Sequence, residues 1–141
     1  MLRFVLLDLD DTLLDFAAAE RAALFATLAE FGVEPKEELL AGYSEINAAM
    51  WRAMERGEID REDLKRVRFR IFAEKFGLTL PVEKVKTAYE RRLGDGFFLM
   101  PRAEETLAAL QKEYNLYVLT NGTVAVQTRR IAGSGVERYI K

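Results

Sequence analysis

The sequence predicts an α/β fold in which a parallel sheet is interrupted by a helical insertion. Three observations predict it. Two short apolar runs, Phe4-Val5-Leu6-Leu7 and Leu116-Tyr117-Val118-Leu119, each stop abruptly at polar residues, the pattern of strands buried on both faces of a parallel sheet. The stretch between them reads as helices separated by stop signals, with no strand signal among them. A further helix-like stretch immediately precedes the second run.

Taken in order, the first run opens the chain and ends at Asp8. Residues 17–31 form an alanine-rich helix closed by Gly32, a C′ position. Pro35 suits the start of a second helix, whose apolar residues Leu39, Tyr43, Ile46, Met50 and Met54 recur at three-to-four spacing until Gly57. Asp60 with Asp63 gives an N-cap and an acidic first turn before Leu64, Val67, Ile71 and Phe72. Pro81 opens a fourth helix through Val82, Val85, Tyr89 and Leu93, closed by Gly94. Gly94-Asp95-Gly96 and Met100-Pro101 mark the return to the sheet. Residues 103–114 form the helix before the second strand, and residues 124–131 the helix after it, ending near Gly133-Ser134-Gly135. The expected division is residues 1–15 with 98–141 as a partial α/β core, and 16–97 as a helical domain.

Composition narrows the chemistry. A chain of 141 residues holds one ordinary domain or two small ones, and 50% hydrophobic residues supply a packed core. A net charge of -2 provides no field that would hold the chain on a nucleic acid polymer or an anionic membrane. Cysteine and histidine are both absent, which removes disulfides, thiolate and imidazole metal ligands, cysteine nucleophiles and histidine-based triads. Catalysis here must rest on carboxylates, hydroxyls, amides or lysines. The opening apolar run is far shorter than the ~20 residues of a membrane helix and lacks a signal-peptide layout, so the expected compartment is the cytoplasm.

Two segments carry candidate chemistry. Asp8-Leu9-Asp10-Asp11-Thr12 follows the first strand directly, and two carboxylates two residues apart at a strand end can serve as a nucleophile and a proton donor and acceptor. Like charges this close call for a cation, and Mg²⁺ prefers carboxylate oxygens, water and phosphate. On spacing alone the same aspartates serve equally well as a helix cap. Thr120-Asn121-Gly122, after the second strand, offers a hydroxyl, an amide and a close-approaching backbone to a phosphoryl oxygen. By itself it reads more readily as a turn and cap than as a phosphate site.

Together the segments are more specific. Phe4-Val-Leu-Leu-Asp8-Leu-Asp10-Asp-Thr12-Leu resembles the first motif of the haloacid dehalogenase-like hydrolases, and Val118-Leu-Thr120-Asn121-Gly122 resembles their second. The helices between match the position of that family's inserted cap. Met50-Trp51 through Gly57-Glu-Ile59, Arg68-Phe69, Phe72-Ala73-Glu74, and the later Gln127, Arg130 and Ser134-Gly135 are similar to the pyrimidine 5′-nucleotidase branch. Trp51, Met54 and Phe72 are read as cap core rather than as base contacts.

The resemblance implies a Rossmann-like core with a helical cap and a Mg²⁺-dependent phosphomonoester hydrolase acting on a small phosphorylated metabolite, a nucleoside 5′-monophosphate. It makes Asp8 the nucleophile that forms an aspartyl-phosphate, and Asp10 the acid and base at the leaving oxygen and the water. It places Mg²⁺ on the Asp8 carboxylate and the Asp10 backbone carbonyl, and the phosphate on Thr120, Asn121 and Gly122. Asp11 and Thr12 are turn and helix-start residues. Asp10 weighs against a dehalogenase, whose reaction needs no proton donor. A sugar-phosphate phosphatase or phosphomutase would use the same aspartates, and a catalytically incomplete phosphate-binding subunit would retain them.

One departure stands out. The family pattern continues with a lysine and an acidic pair, neither of which is assigned here; Lys141 is the only lysine after Thr120 and follows it too closely. With two strands alone the sheet keeps exposed edges and one uncovered side. The expectation is therefore that a C-terminal segment beyond this sequence, or a second chain, completes the core.

Overall fold

The computed structural model describes Met1 and residues 3–141; Leu2, in the opening run, lies outside the described residues. The element order is β1 (Phe4–Leu7), α1 (Phe16–Glu30), α2 (Glu37–Glu55), α3 (Arg61–Phe76), α4 (Val82–Gly94), α5 (Ala103–Leu110), β2 (Asn115–Val118), α6 (Val124–Ser134) and a 3-10 turn at Val136–Arg138. This is an α/β chain, mostly helical, with the expected parallel pair. It divides into two compact units, Met1–Ala22 with Leu93–Lys141, and Ala23–Arg92.

In the first unit β1 and β2 pair in parallel with Phe4 opposite Asn115 and Leu7 opposite Val118. The second strand begins one residue earlier than its apolar run because the Asn115 amide already donates to the Arg3 carbonyl. The Leu119 amide still reaches the Leu7 carbonyl at 2.9 Å, so the ladder carries on to the level of Asp8. One face of this pair, with Val5, Leu7, Leu116 and Val118, packs on Leu9, Leu13, Leu14, Ala103, Leu107 and Val136. The opposite face is the uncovered side expected of two strands alone: Phe4, Leu6, Tyr117 and Leu119 are exposed, with Phe4 set edge-on to Tyr117. Among the described residues no element covers that side, so alternate residues of each apolar run face outward.

The helix ends follow their signals. Gly32, Gly57, Gly77 and Gly135 all adopt the left-handed conformation just past a helix, where a side chain would be strained. Asp60 caps α3 by accepting the Asp63 amide at 2.8 Å. The helix before β2 is shorter than expected, because the amides of Lys112 and Glu113 switch to carbonyls three residues back and tighten its end into turns.

The second unit is helical and holds an aromatic core. Tyr43 of α2 stacks on Phe69 of α3 at 5.2 Å, and Tyr89 of α4 lies 5.3 Å from Tyr43 and 5.2 Å from Phe69. Phe72 is fully buried, whereas Trp51 and Met54 are half-buried. Gly42 is required where the Phe76 ring meets α2, since a methyl group there would overlap the ring. Arg68 is also buried; its Nη1 donates to Asn47 at 3.0 Å and its guanidinium lies 5.0 Å over the Tyr89 ring. No helix among the described residues is long and apolar enough to cross a membrane.

Candidate active site

The site forms where both parallel strands end, the edge at which α/β sheets place their ligands. Asp8 stands one residue beyond β1 and Thr120 two beyond β2. Alternation then decides which side chains are offered: Leu9 points into the core with no exposure, so Asp8 and Asp10 on either side of it point away.

A tight loop fixes these aspartates. The Leu9 carbonyl accepts from the amides of Leu13 at 2.9 Å and Leu14 at 3.0 Å, and the Asp11 amide donates to the Leu14 carbonyl at 2.7 Å. Asp11 takes a left-handed conformation at φ 62°, which an aspartate tolerates better than a branched residue. Its carboxylate accepts the Phe16 amide, and Asp15 accepts the Ala18 amide in the first turn of α1. Asp11 thus serves the turn as expected, whereas the bond to Ala18 in the first turn of the helix comes from Asp15 and not from Thr12. Backbone bonds from Asp15 to the Phe98 carbonyl and from Met100 to the Leu13 carbonyl tie the loop to the returning chain.

Asp8 and Asp10 have different surroundings. Asp8 is exposed; its Oδ1 accepts the Leu9 amide at 2.9 Å and, among the described residues, no hydrogen bond reaches Oδ2. Asp10 is half-buried, and both its oxygens are engaged. Oδ1 accepts from Arg130 Nη1 at 2.5 Å, and Oδ2 accepts from Gln127 Nε2 at 2.9 Å. The same Gln127 Nε2 lies 2.9 Å from Thr120 Oγ1, and Gln127 Oε1 accepts from Arg130 Nη1 at 2.9 Å. Thr120 Oγ1 also accepts the Gly122 amide at 3.2 Å.

The structure thus joins Asp10 to Thr120 through a residue of α6. Gly122 belongs to the same arrangement in a steric role, because the Gln127 side chain lies against its Cα and a Cβ would overlap it. Asn121 is exposed at the tip of the turn. Gln127 and Arg130 were not assigned a site role from the sequence, although both are almost fully buried, at 4% and 1% exposure. Their signal was available in the spacing: polar residues three apart share one helix face, and that face also carries Val126. Two buried polar residues on the core side of a helix call for polar partners.

The model of the haloacid dehalogenase-like hydrolases matches residues 2–140. The chain belongs to this family. It is 32% identical over 139 residues to YfnB of Bacillus subtilis (strain 168), a HAD-hydrolase by name, covering 99% of this chain and 59% of YfnB. It is 36% identical over 138 residues to the pyrimidine 5′-nucleotidase PynA of Streptococcus pneumoniae (strain ATCC BAA-255 / R6), covering 97% of this chain and 58% of PynA. The chain therefore spans less than two thirds of the length of these relatives. Among solved structures, an orthorhombic crystal form of YfnB bound to magnesium superposes with a TM-score of 0.94, covering 99% of this chain and 63% of that one. An L-2-haloacid dehalogenase from Xanthobacter autotrophicus, at 17% identity and a TM-score of 0.72, covers all of this chain and 55% of its own, and shares the fold.

Proposed function

We propose that this HAD-like chain is the nucleophile-bearing part of a Mg²⁺-dependent phosphomonoester hydrolase acting on nucleoside 5′-monophosphates. The observation that carries the reading is the asymmetry of the two aspartates. Among the described residues Asp8 presents an oxygen with no hydrogen bond at an open strand end, as a nucleophile requires, while Asp10 is held in place by two fixed donors that leave each oxygen a lone pair for a proton.

In this reading an Asp8 carboxylate oxygen attacks phosphorus and the bond to the ribose 5′-oxygen breaks. Asp10 gives its proton to that oxygen. It then takes a proton from the water that attacks the aspartyl-phosphate, returning free Asp8 and inorganic phosphate. Both Asp10 oxygens retain a second lone pair for this proton, since each accepts one bond from the fixed network. Thr120, Asn121 and Gly122 hold the phosphoryl oxygens. The unit Ala23–Arg92 is the cap, and the nucleoside preference rests on the likeness to PynA.

The donor chemistry at Asp8 fits a hard cation. Mg²⁺ usually binds through one or two carboxylates together with water and phosphate, and Asp8 offers one open carboxylate oxygen. The second ligand is the Asp10 backbone carbonyl, as the resemblance to the family implies, while the Asp10 side chain is bonded to Arg130 and Gln127. Among the described residues no group of three acidic, histidine or cysteine side chains forms a metal site. In this reading the remaining ligands, the charge-stabilising lysine and the rest of the core are supplied by a C-terminal segment or second chain, in keeping with a chain that spans less than two thirds of its relatives. Bound Mg²⁺ would neutralise Asp8 and the phosphate dianion as they approach.

The test, on the protein with its core completed by the C-terminal segment or second chain, is phosphate release from uridine and deoxyuridine monophosphates beside a panel of sugar phosphates, with and without Mg²⁺, and with Asp8→Asn as control. Release from the nucleotides that needs both Mg²⁺ and Asp8 supports the reading. Equal rates on sugar phosphates would remove the nucleotidase assignment.

A further inference from the structure

The hydrogen bonds around Gln127 have a fixed direction, and that direction reaches both functional ends of the site. Arginine carries only donors, so the Gln127 atom facing Arg130 Nη1 has to be the acceptor Oε1. The amide nitrogen then faces Thr120 Oγ1 and Asp10 Oδ2, both of which accept from it. Thr120 Oγ1 accepts a second bond from the Gly122 amide, so its lone pairs are occupied and its O–H is left to donate elsewhere. Arg130 is itself anchored: it is buried, and its Nε donates to the Gly96 carbonyl at 3.2 Å.

We propose that Gln127, oriented by Arg130, is a positioning residue that aims the Thr120 hydroxyl as a donor toward the phosphoryl group and holds Asp10 at the leaving-group oxygen. The inference rests on the hydrolase reading above and adds to it a residue of α6 that touches neither phosphorus nor metal. A glutamine is needed because the position requires an acceptor toward Arg130 and donors toward Thr120 and Asp10. Glutamate keeps the shape and supplies only acceptors: it would turn the Thr120 hydroxyl inward and set a second negative charge against Asp10. Methionine keeps most of the volume and supplies neither function.

The experiment compares an alkyl substrate, uridine monophosphate, with p-nitrophenyl phosphate, whose leaving group departs without a proton. Gln127→Glu and Gln127→Met are measured beside Asp8→Asn and Asp10→Asn, all in the protein with its core completed by the C-terminal segment or second chain, with thermal melting to confirm folding. The expected result is that kcat/KM on the nucleotide, which reports the steps up to departure of the leaving group and not the later attack of water, falls on the order of 10²-fold in Gln127→Glu, in line with loss of general acid catalysis. The loss on the aryl ester is at least about tenfold smaller, as in Asp10→Asn. Gln127→Met moves the same way by less. A merely structural role would lower both substrates in proportion, and that outcome, or no loss at all, overturns the proposal. If Asp8→Asn retains activity, or the parent releases no phosphate from either ester, the hydrolase reading fails first and this inference with it. A second readout is independent of turnover: the Gln127 side-chain amide resonances should shift on Asp10→Asn, and unmoved resonances would also overturn the proposal.

Discussion

Gln127 donates to Asp10 across 2.9 Å although 117 positions separate them in the chain. That single bond joins the loop after β1 to the helix after β2, so the two motifs meet through side chains as well as through the strand ladder. Arg130 makes the junction rigid by binding both partners from the same Nη1 atom. Arg130 Nη2 is buried without a hydrogen-bond partner among the described residues, but the bonds made through Nη1 and Gln127 couple the parts, which are expected to fail together.

Gly122→Ala tests the steric side of the junction. A methyl group at this position overlaps the Gln127 side chain, which three hydrogen bonds hold in place. The expected outcome is a folded protein whose kcat falls on the order of 10²-fold, the effect of small misplacements in an active site. Steady-state kinetics with melting curves checks this; unchanged kcat would show that Gln127 yields freely.

Asp10→Asn keeps one of the two acceptors, sets its amide nitrogen against a donor of Arg130 or Gln127, and removes the carboxyl group that transfers the proton. A loss of ~10²–10⁴-fold in kcat is expected for nucleotides, with KM changing little. A parallel rise in KM without a fall in kcat would mean that Asp10 binds substrate instead of transferring a proton.

Phe69→Ala probes the core of the unit Ala23–Arg92. The ring is fully buried between Tyr43 and Tyr89, and truncation leaves a cavity. Destabilisation of about 3–5 kcal/mol is expected. Chemical denaturation measures it, and a cost below about 1 kcal/mol would mean that the aromatic cluster collapses freely around the gap.

Glu30 gives the second unit an acid-sensitive contact. Its hydrogen bond from Arg92, at 2.7 Å, and the charges of Arg92 and Arg91 hold its carboxyl below the ordinary carboxylate range. A folded-state value lower than the unfolded one stabilises above the unfolded value and is lost as pH falls through the folded one. Glu30→Gln should therefore melt slightly below the parent at neutral pH, and the gap should close as the pH drops below about 4. The pair is exposed, so the effect is small. A gap that persists unchanged at low pH would assign it to packing.

Much of this structure was legible in the sequence because its signals are local. The glycines at 32, 57 and 135 need left-handed backbone, and Asp60 caps the helix that follows it. The motif residues Asp8, Asp10 and Thr120 sit at strand ends because abrupt apolar-to-polar boundaries mark such ends. What was missed depends on tertiary contact. Apolar runs at Phe4–Leu7 and 116–119 predict one uncovered side of the pair but not which residues line it, and these are Phe4, Leu6, Tyr117 and Leu119. Gln127 and Arg130 were visible as part of a family likeness, yet their partner lies 117 and 120 positions away, beyond the reach of any local pattern.

The most direct test of the central claim is to trap the phosphorylated residue. Full-length protein is mixed with Mg²⁺ and uridine monophosphate, quenched in acid and reduced with borohydride, which converts an aspartyl-phosphate to homoserine; peptide mass spectrometry then locates the change. The expected result is homoserine at position 8 alone, absent without Mg²⁺ and absent in Asp8→Asn, which also loses turnover by at least about 10³-fold as removal of a nucleophile should. Modification at another residue, or full turnover by Asp8→Asn, would contradict the assignment of Asp8 as the nucleophile.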